Sequence, residues 1–522
     1  MPRELKINEL TTVGRASLIL ALMIGLSRLT GLGRTVVAAH FFGRDAQTDV
    51  FGAAFNIPDT LTILISGGLL ATGFVPVFTR YLSQGETERA RITFRALLTL
   101  MLVGFGGLSM ALFALTFTPL ATLLYPKNIG PEYVGLFLTS LRILLVAQWM
   151  FVVGGVFSGT FNALRLFWFP ALQPVFYNVG TIVGGVWGAP HNGGAGHIEY
   201  QAWGALGGAF VGTVIMLAPA ARHHGLSLRP LWDLKDEGVR RVSASLLPIF
   251  LGLASGQIIA LNLPRALASL LDEGALSSLD YANRLMQVPL DLLASSVAVA
   301  LFPTISRLFI EDNADELRRT FDAALSRILS AMLFAMVMTI VLAPTLVSLV
   351  FQSGKFRAAD ANDTALALQC YALCLPALGA QQLLARGFFA TDRAREPVGI
   401  GLFAMGLFLV LGFAATRVPL GGGASLALAA AVSTSVLSLL LWRSLCKHLN
   451  LDSAAALRAI GRGLTVALAA GALAYLGVWI TQILVGGWET GALKLVGRAL
   501  VVAVGGGLGT GLWLFWKRRL SL

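Results

Sequence analysis

The sequence predicts an all-α polytopic membrane protein of about 14 transmembrane helices: two six-helix lobes related by a pseudo-twofold axis, plus two extra C-terminal helices. Three observations predict this fold: an apolar composition, a series of apolar stretches of spanning length, and motifs repeated in order. Of the 522 residues, 56% are hydrophobic and 13% are charged, and the mean hydropathy is +0.75. Because a soluble domain is nearer a quarter charged, lipid must solvate much of this chain.

Apolar stretches of spanning length recur along the whole chain. A helix needs ~20 mainly apolar residues to cross the hydrocarbon core. The stretches lie at residues 15–40, 47–79, 96–124, 133–160, 169–188, 200–221, 242–267, 279–306, 321–351, 363–389, 397–415, 424–445, 461–485 and 493–515. Gly31, Gly33, Pro58 and Pro289 lie inside them and predict interruptions of the helices.

Basic residues concentrate in alternate loops, and this asymmetry predicts the orientation. Arginine and lysine are frequent at residues 80–95, 222–241, 307–319, 393–395, 443–462 and 517–519, and scarce in the loops between. By the positive-inside rule the basic loops are cytoplasmic, and so are both termini. The net charge of +12 then reflects loops at an anionic leaflet, and we expect no nucleic-acid partner.

Three motifs recur in the same order in both halves of the chain. Asp49 and Pro58 are nine residues apart, as are Asp280 and Pro289. The other two are Val75-Pro76-x3-Arg80 with Phe302-Pro303-x3-Arg307, and Arg91-x-Thr93-Phe94-x-Ala96 with Arg318-x-Thr320-Phe321-x-Ala323. A parallel repeat predicts two lobes around a cavity that opens alternately to each side. We expect an N-lobe at 1–222, a C-lobe at 223–450 and a terminal helix pair at 451–522.

Charged residues inside the predicted spans indicate a binding site. Arg28 and Arg34 lie in helix one, Asp49 near the outer start of helix two, and Arg284 and Asp291 in helix eight. Ionisable groups at membrane depth are costly and usually face a cavity, and the planar fork of arginine suits phosphate or carboxylate. One hypothesis is therefore a cationic cavity for an anion. The alternative is that Arg34 snorkels outward, Arg284 pairs with Asp291, and Asp49 caps helix two.

Other polar residues carry no recognisable chemistry. The sequence contains no Walker loop, zincin helix or credible catalytic triad, so we expect no enzyme, no catalytic residue and no metal site. Arg142, Arg265 and Arg386 lie near helix ends, where snorkelling is expected. With no ATPase motif and no cofactor, we expect a coupling cation, another gradient, the membrane potential or a partner to supply the energy.

Several motifs follow one another in order over residues 15–400. They are Ser27-Arg28-Leu29-x-Gly31-x-x-Arg34, Phe42-Gly43-x4-Thr48-Asp49, Phe55-x-x-Pro58, Gly73-Phe74-Val75-Pro76, Tyr281-Ala282-x-Arg284-Leu285-Met286-x-x-Pro289, Gly354-Lys355-Phe356 and Gly387-Phe388-Phe389-Ala390. In this order they resemble the MurJ (MviN) family of lipid II flippases, within the superfamily of multidrug, oligosaccharidyl-lipid and polysaccharide exporters.

The resemblance implies a substrate, a membrane and a site. The family carries lipid II, an undecaprenyl-pyrophosphate-linked glycopeptide, from the inner to the outer leaflet of the bacterial cytoplasmic membrane for cell-wall synthesis. Its arginines of helices one and eight bind the pyrophosphate, and Arg28, Arg34 and Arg284 stand at those positions. Asp49 stands at the family's helix-two acid. Helices thirteen and fourteen match the pair that forms a groove for the lipid tail.

The chain departs from the family pattern at polar positions of the same helices. Thr35 stands for an acid, Thr62 and Ile63 for arginines, and Asn283 and Gln287 for acids. Because opposite charges are removed together, we expect a rebalanced cavity, with Asn283 and Asp291 as further polar lining residues.

The sequence leaves three hypotheses for the function. The first is a lipid II flippase, the second an exporter of another polyprenyl-linked glycan or an amphipathic drug, and the third a non-transporting paralogue that acts as a scaffold. Retention of Arg28, Arg34 and Arg284 favours transport, and a drug antiporter would be expected to keep buried acids, for which only Asp291 is a candidate. We expect a monomer surrounded by membrane lipids, with proteins of cell-wall synthesis as partners.

Overall fold

The computed structural model describes residues 13–66, 74–126, 129–164, 166, 168–190, 196–237, 239–240, 243–244, 258–295, 297–298, 301, 305, 308–309, 311, 313–390, 393, 396–418, 420–449, 453–485 and 491–520. These residues form helices, turns and short connections, and none of them is in a strand. Their contacts divide the chain into two compact units, Met1–Phe250 (unit 1) and Leu251–Leu522 (unit 2). The division into parts at 222 and 450 stays a prediction.

The helices of unit 1 follow the apolar stretches of the first half of the chain. They are α1 (Val13–Phe42), α2 (Ala46–Ser66), α3 (Val75–Ser83), α4 (Thr87–Leu100), α5 (Gly106–Leu115), α6 (Val134–Ala163), α7 (Trp168–Trp187), α8 (Tyr200–Phe210) and α9 (Ala218–His223). Helix α7 packs between α1 and α8, and α2 packs along α6. These contacts bring the polar residues of α1 and α2 against α7.

The helices of unit 2 are longer on average and include the terminal pair. They are α10 (Leu263–Ala268), α11 (Ala275–Pro289), α12 (Ala314–Phe351), α13 (Ala358–Ala372), α14 (Leu375–Ala390), α15 (Glu396–Ala415), α16 (Ala424–Leu449), α17 (Ser453–Val485) and α18 (Gly491–Leu520). The pair α17–α18 packs against α12. Arg498 fastens it there by donating to the Ser348 carbonyl and to Gln352 Oε1, both at 2.9 Å.

The fold class expected from the sequence is confirmed: the chain is an all-α membrane protein. Among the described residues, eight helical stretches are long and apolar enough to cross a membrane, and a bent pair, Ala358–Ala372 with Leu375–Phe388, adds a ninth if it is one span. Helices α1 and α2 lie at the first two predicted spans. The number of fourteen stays a prediction.

Three of the four predicted interruptions are wrong. Helix α1 runs without a break through Gly31 and Gly33, and α2 runs through Pro58. A glycine costs a helix only about 1 kcal/mol and keeps its backbone hydrogen bonds, and the space that Gly33 leaves is filled by Ile182 of α7, 3.4 Å from where a Cβ would lie. Pro289 behaves as predicted, because α11 ends there and a π-helical turn, Leu290–Ser295, follows.

Helices α7 and α8 touch backbone to backbone. Gly180 and Gly184 of α7 face Gly204 and Gly208 of α8, and a Cβ on any of the four would collide with main-chain atoms of the opposite helix. Both helices thus carry two glycines four residues apart, the spacing that lets membrane helices approach closely. This contact sets the position of the α7 face that meets α1.

Two π-helical turns meet α6 at the same height. The turn Met101–Phe105 joins α4 to α5, and the indole of Trp149 donates to its Leu102 carbonyl at 3.2 Å. The turn Val211–Leu217 joins α8 to α9, and its Thr213 donates to the Met150 carbonyl at 3.0 Å. A π-turn leaves carbonyls outside the regular i−4 ladder, and Trp149 satisfies one of them at Leu102, where lipid could not.

Candidate substrate-binding site

Arg34 lies where α1, α2 and α7 meet in unit 1. Its guanidinium carbon is 5.2 Å from the ring centroid of Phe55 and 5.9 Å from that of Tyr177. Tyr177 is buried, and Arg34 and Phe55 are half-buried. A cation over an aromatic face is attracted by the ring quadrupole, by about 0.5–2 kcal/mol. The two rings therefore stabilise a positive charge inside apolar packing.

Arg28 lies nearer the start of the same helix and its side chain is exposed within unit 1. The turn that carries it is tied to α7, because the Asn178 amide donates to the Ser27 carbonyl at 3.2 Å and to Thr30 Oγ1 at 3.4 Å. On an uninterrupted α-helix, residues six apart are about 120° and ~9 Å apart. The two arginines of α1 thus leave the helix in different directions.

The acids of α2 differ from the sequence-based expectation. Thr48 donates to Asp45 Oδ1 from its backbone nitrogen at 3.1 Å and from its hydroxyl at 3.2 Å, so Asp45 caps the helix and Asp49 does not. Asp49 is buried in the first turn, with 2% of its surface exposed. The cap alternative is therefore wrong for Asp49.

Sequence reasoning missed Asp59, which the structure places beside the aromatic pair. Asp59 is half-buried, and it interacts electrostatically with Tyr177, as does Arg34. Its signal was present in the sequence, because Asp59 follows Phe55 by four residues and so lies on the same face of α2. Unit 1 thus brings together one cation, one anion and two rings.

In unit 2, Arg284 lies half-buried on α11, beside an interacting pair of amides. Asn283, with 2% of its surface exposed, accepts a hydrogen bond from Gln287 Nε2 at 2.5 Å and donates to the Ala260 carbonyl at 3.4 Å. Both amides stand where the family resemblance expected acids. Their i,i+4 hydrogen bond joins the two amides on one face of α11.

The remaining predicted residues of unit 2 lie on either side of Arg284 in the chain. Asp291 is half-buried in the π-helical turn that follows Pro289. Arg265 of α10 forms an ion pair with Asp280 of α11, so its expected snorkelling is wrong. The reversal of the chain between these helices uses Gly274, whose φ of 82° only glycine adopts readily.

The ion pair reveals a difference between the two repeat copies. Arg265 precedes Asp280 by fifteen residues, and Arg34 precedes Asp49 by the same number. The repeat had matched Asp49 with Asp280, so Arg34 and Arg265 are related positions. In unit 2 this arginine is held by a carboxylate, and in unit 1 it is held by aromatic rings.

The two other arginines expected to snorkel bond to main chain instead. Arg142 of α6 donates to Thr116 Oγ1 at 2.8 Å and to the Thr116 carbonyl at 2.9 Å, and lies 4.0 Å from the Phe117 ring centroid. Arg386 donates to the Gln382 carbonyl one turn earlier at 2.5 Å. The carbonyl that Arg142 satisfies follows the end of α5, and the carbonyl that Arg386 satisfies lies within α14.

Metal chemistry has no visible basis in the part of the chain that the structure describes. Within those ranges no three His, Cys, Asp or Glu side chains come together as a ligand set. The candidate residues described above carry guanidinium groups, aromatic rings and carboxylates, and guanidinium groups suit the binding of an anion.

Comparison with known proteins shows the family of the chain. The chain matches the family model described as "Lipid II flippase MurJ" over residues 38–496. The lipid II flippase MurJ of Burkholderia cenocepacia is 30% identical over 444 residues, which cover 81% of this chain and 82% of the relative. The probable lipid II flippase MurJ of Haemophilus influenzae is 28% identical over 440 residues, with 81% and 84% covered.

Solved structures share the fold. A structure described as lipid II flippase MurJ in an inward closed conformation superposes with a TM-score of 0.75 at 19% identity, covering 97% of this chain and 100% of that one. An inward-facing multidrug resistance MATE family transporter of the MOP superfamily gives 0.65 at 14% identity, covering 83% and 98%.

Proposed function

Because the chain belongs to the lipid II flippase MurJ family, we propose that it moves lipid II from the inner to the outer leaflet of the bacterial cytoplasmic membrane for peptidoglycan synthesis. In this proposal the protein is a transporter with no catalytic residue. It works as a monomer among membrane lipids, with both termini in the cytoplasm, and hands its cargo to the enzymes that build the cell wall.

We propose that Arg28, Arg34 and Arg284 bind the pyrophosphate. The observation that carries this assignment is the placement of Arg34 over Phe55 and Tyr177. The rings bring no formal negative charge to Arg34, whereas the repeat-related Arg265 is paired with the carboxylate of Asp280. A bound diphosphate would add charge-assisted, bidentate hydrogen bonds to the guanidinium, beyond the opposing charge of Asp59.

The carboxylates have a different part in the proposal. Asp49 and Asp59 of α2 and Asp291 beyond α11 oppose the arginines when no substrate is bound. The amide of Asn283 positions the turn that carries Arg284, because it links α11 to the Ala260 carbonyl. Asp59 is the new member of this set, and its interaction with Tyr177 supports its inclusion.

The polyprenyl tail must stay in an apolar environment while the headgroup crosses. We propose that α17 and α18 receive it. Helix α17 exposes an apolar face that includes Leu476, Trp479 and Ile483, and the pair is fixed to α12 by Arg498. An apolar face on an anchored helix pair is compatible with binding a lipid chain.

In this proposal, transport follows because the protein has different affinities for the substrate in its inward-open and outward-open states. Binding of the diphosphate neutralises the arginines, and this favours the state that opens to the other leaflet. After release, a coupling cation or the membrane potential returns the empty protein to its inward-facing state. The membrane potential can do so because a site with net positive charge moves in the transmembrane electric field.

Complementation tests the proposal directly. Expression of this chain should restore growth and rod shape to a bacterium depleted of its own lipid II flippase. The Arg284→Ala variant should insert into the membrane in equal amount and fail to restore growth. Lack of rescue by the unaltered chain at normal membrane levels would refute lipid II transport, and full rescue by Arg284→Ala would refute the site assignment.

A further inference from the structure

The chain leaves unit 1 through residues 226–240, here called the connecting segment, which is fastened to α3 and α4. Glu237 accepts hydrogen bonds from Arg80 Nη2 at 2.6 Å and from the Tyr81 hydroxyl at 3.0 Å. The Thr93 hydroxyl donates to Asp236 Oδ2 at 2.8 Å. The bond to Glu237 raises the pKa of Arg80. The two neighbouring acids of the segment thus bond to α3 and α4.

Two main-chain bonds fix the segment at a defined height. The Arg229 carbonyl accepts from Arg95 Nε at 3.0 Å, and the Leu231 nitrogen donates to Thr99 Oγ1 at 2.8 Å. Arg95 is the last charged residue of α4, and residues 96–126 that follow carry no charge. The span Thr87–Leu115 therefore passes from the aqueous interface into apolar surroundings between Arg95 and Thr99. The segment lies at this boundary.

The outward face of the segment is both apolar and cationic. Trp232 and Leu234 are 59% and 51% exposed. Arg229, Lys235 and Arg240 are exposed as well. The remaining acid of the segment, Asp233, is half-buried and accepts from the Lys235 backbone nitrogen at 2.9 Å. Asp233 and Asp236 are half-buried and the exposed Glu237 is paired with Arg80, so the other exposed side chains include an indole, an aliphatic side chain and three cations.

We infer that the connecting segment binds the surface of the cytoplasmic leaflet. Trp232 and Leu234 enter the headgroup–acyl boundary, and Arg229, Lys235 and Arg240 bind anionic phospholipid headgroups. Tryptophan is enriched at this depth because its ring is amphipathic, and basic residues within a Debye length of an anionic leaflet are attracted to it. The inference rests on the proposed orientation and not on lipid II transport.

A fluorescent label at position 232 measures the depth. The test uses the full chain with Cys370→Ala and Cys446→Ser, since Cys374 is fully buried and does not compete for the label. Trp232→Cys is labelled with nitrobenzoxadiazole and reconstituted into phosphatidylglycerol vesicles with brominated acyl chains. Asp315→Cys, exposed in the first turn of α12, is the matched aqueous control. We expect blue-shifted emission and at least twofold quenching at 232, and neither at 315.

The headgroup preference is tested by changing the lipid composition of the vesicles and the charge of the connecting segment. Quenching at 232 should be at least twofold weaker in phosphatidylcholine vesicles than in phosphatidylglycerol vesicles. It should fall by the same factor in phosphatidylglycerol vesicles when the protein carries both Arg229→Glu and Lys235→Glu. If the double variant does not fold, 0.5 M salt applied to the parent screens the same attraction. Water-like emission at 232 would overturn the claim that the segment inserts into the membrane surface. Equal quenching in both lipids, unaffected by the charge variant and by salt, would overturn the claim that it binds anionic headgroups.

Discussion

The aromatic support of Arg34 makes a quantitative prediction for Tyr177→Leu. The change removes one of the two rings over the guanidinium and leaves Phe55, 5.2 Å away, in place. Arg34 then samples more rotamers in the empty site, and ordering a long side chain on binding costs about 0.5–1.5 kcal/mol. With one ring retained we expect the lower half of that range. Because 1.4 kcal/mol is tenfold in affinity, undecaprenyl pyrophosphate should bind about two- to fivefold more weakly.

Two matched variants separate the effect on Arg34 from general damage. Tyr177→Phe keeps the ring and should retain the parent affinity. Phe137→Leu removes a buried ring from unit 1 that packs on Tyr125, at 5.5 Å between centroids, with no guanidinium over it. Both leucine variants should lower the thermal midpoint, since each loses buried aromatic area. Only Tyr177→Leu should weaken binding.

The assay is calorimetric titration of each purified variant with undecaprenyl pyrophosphate in detergent. The reasoning fails if Tyr177→Leu binds as tightly as the parent. It also fails if Phe137→Leu weakens binding to the same degree, or if Tyr177→Phe behaves as Tyr177→Leu does. The last outcome would assign the effect to the hydroxyl.

Three further predictions concern charge and packing. Arg34→Lys keeps the positive charge but loses the planar fork of donors, so the variant should complement less well than the parent at the same amount in the membrane. Equal complementation would contradict bidentate binding by Arg34. Gly204→Leu forces a side chain into the backbone of α7 and should destabilise the protein by at least about 3 kcal/mol in a thermal unfolding assay. The matched control is Gly207→Leu on the same helix, which meets nothing within 4 Å and should be tolerated. Asp280→Asn leaves the Arg265 charge half-buried without its carboxylate, so stability should fall by about 1–3 kcal/mol; an unchanged thermal midpoint would show that solvent already screens the pair.

The sequence predicted the fold class because lipid imposes a one-dimensional signal. Each span must be a run of apolar residues, so helices lie where the apolar stretches are. The interruption at Pro289 was also local and was predicted correctly. Those at Gly31 and Gly33 were not, because whether a glycine breaks a helix or admits a neighbour such as Ile182 depends on tertiary contacts.

The partners of charged side chains were harder to predict. Arg142 bonds to Thr116, 26 residues earlier, and Arg265 bonds to Asp280 across a turn. Position along a span predicted snorkelling for both, since no sequence pattern shows which carbonyl or carboxylate lies within reach. Asp59 was the reverse case: its i+4 spacing from Phe55 was readable, but its importance appeared only once α7 brought Tyr177 alongside.

The π-helical turns that meet α6 have a consequence for how this chain tolerates insertions and deletions. A π-turn contains about one residue more than an α-helical turn, yet both complete one full turn of the helix. Deleting a residue from Met101–Phe105 would therefore restore a regular helix and leave the faces of α4 and α5 nearly in phase. Relatives that gained or lost a single residue at such a turn would thus present the same stripe of side chains to lipid. Alignment gaps in such proteins belong inside the bilayer at these turns as well as in the loops.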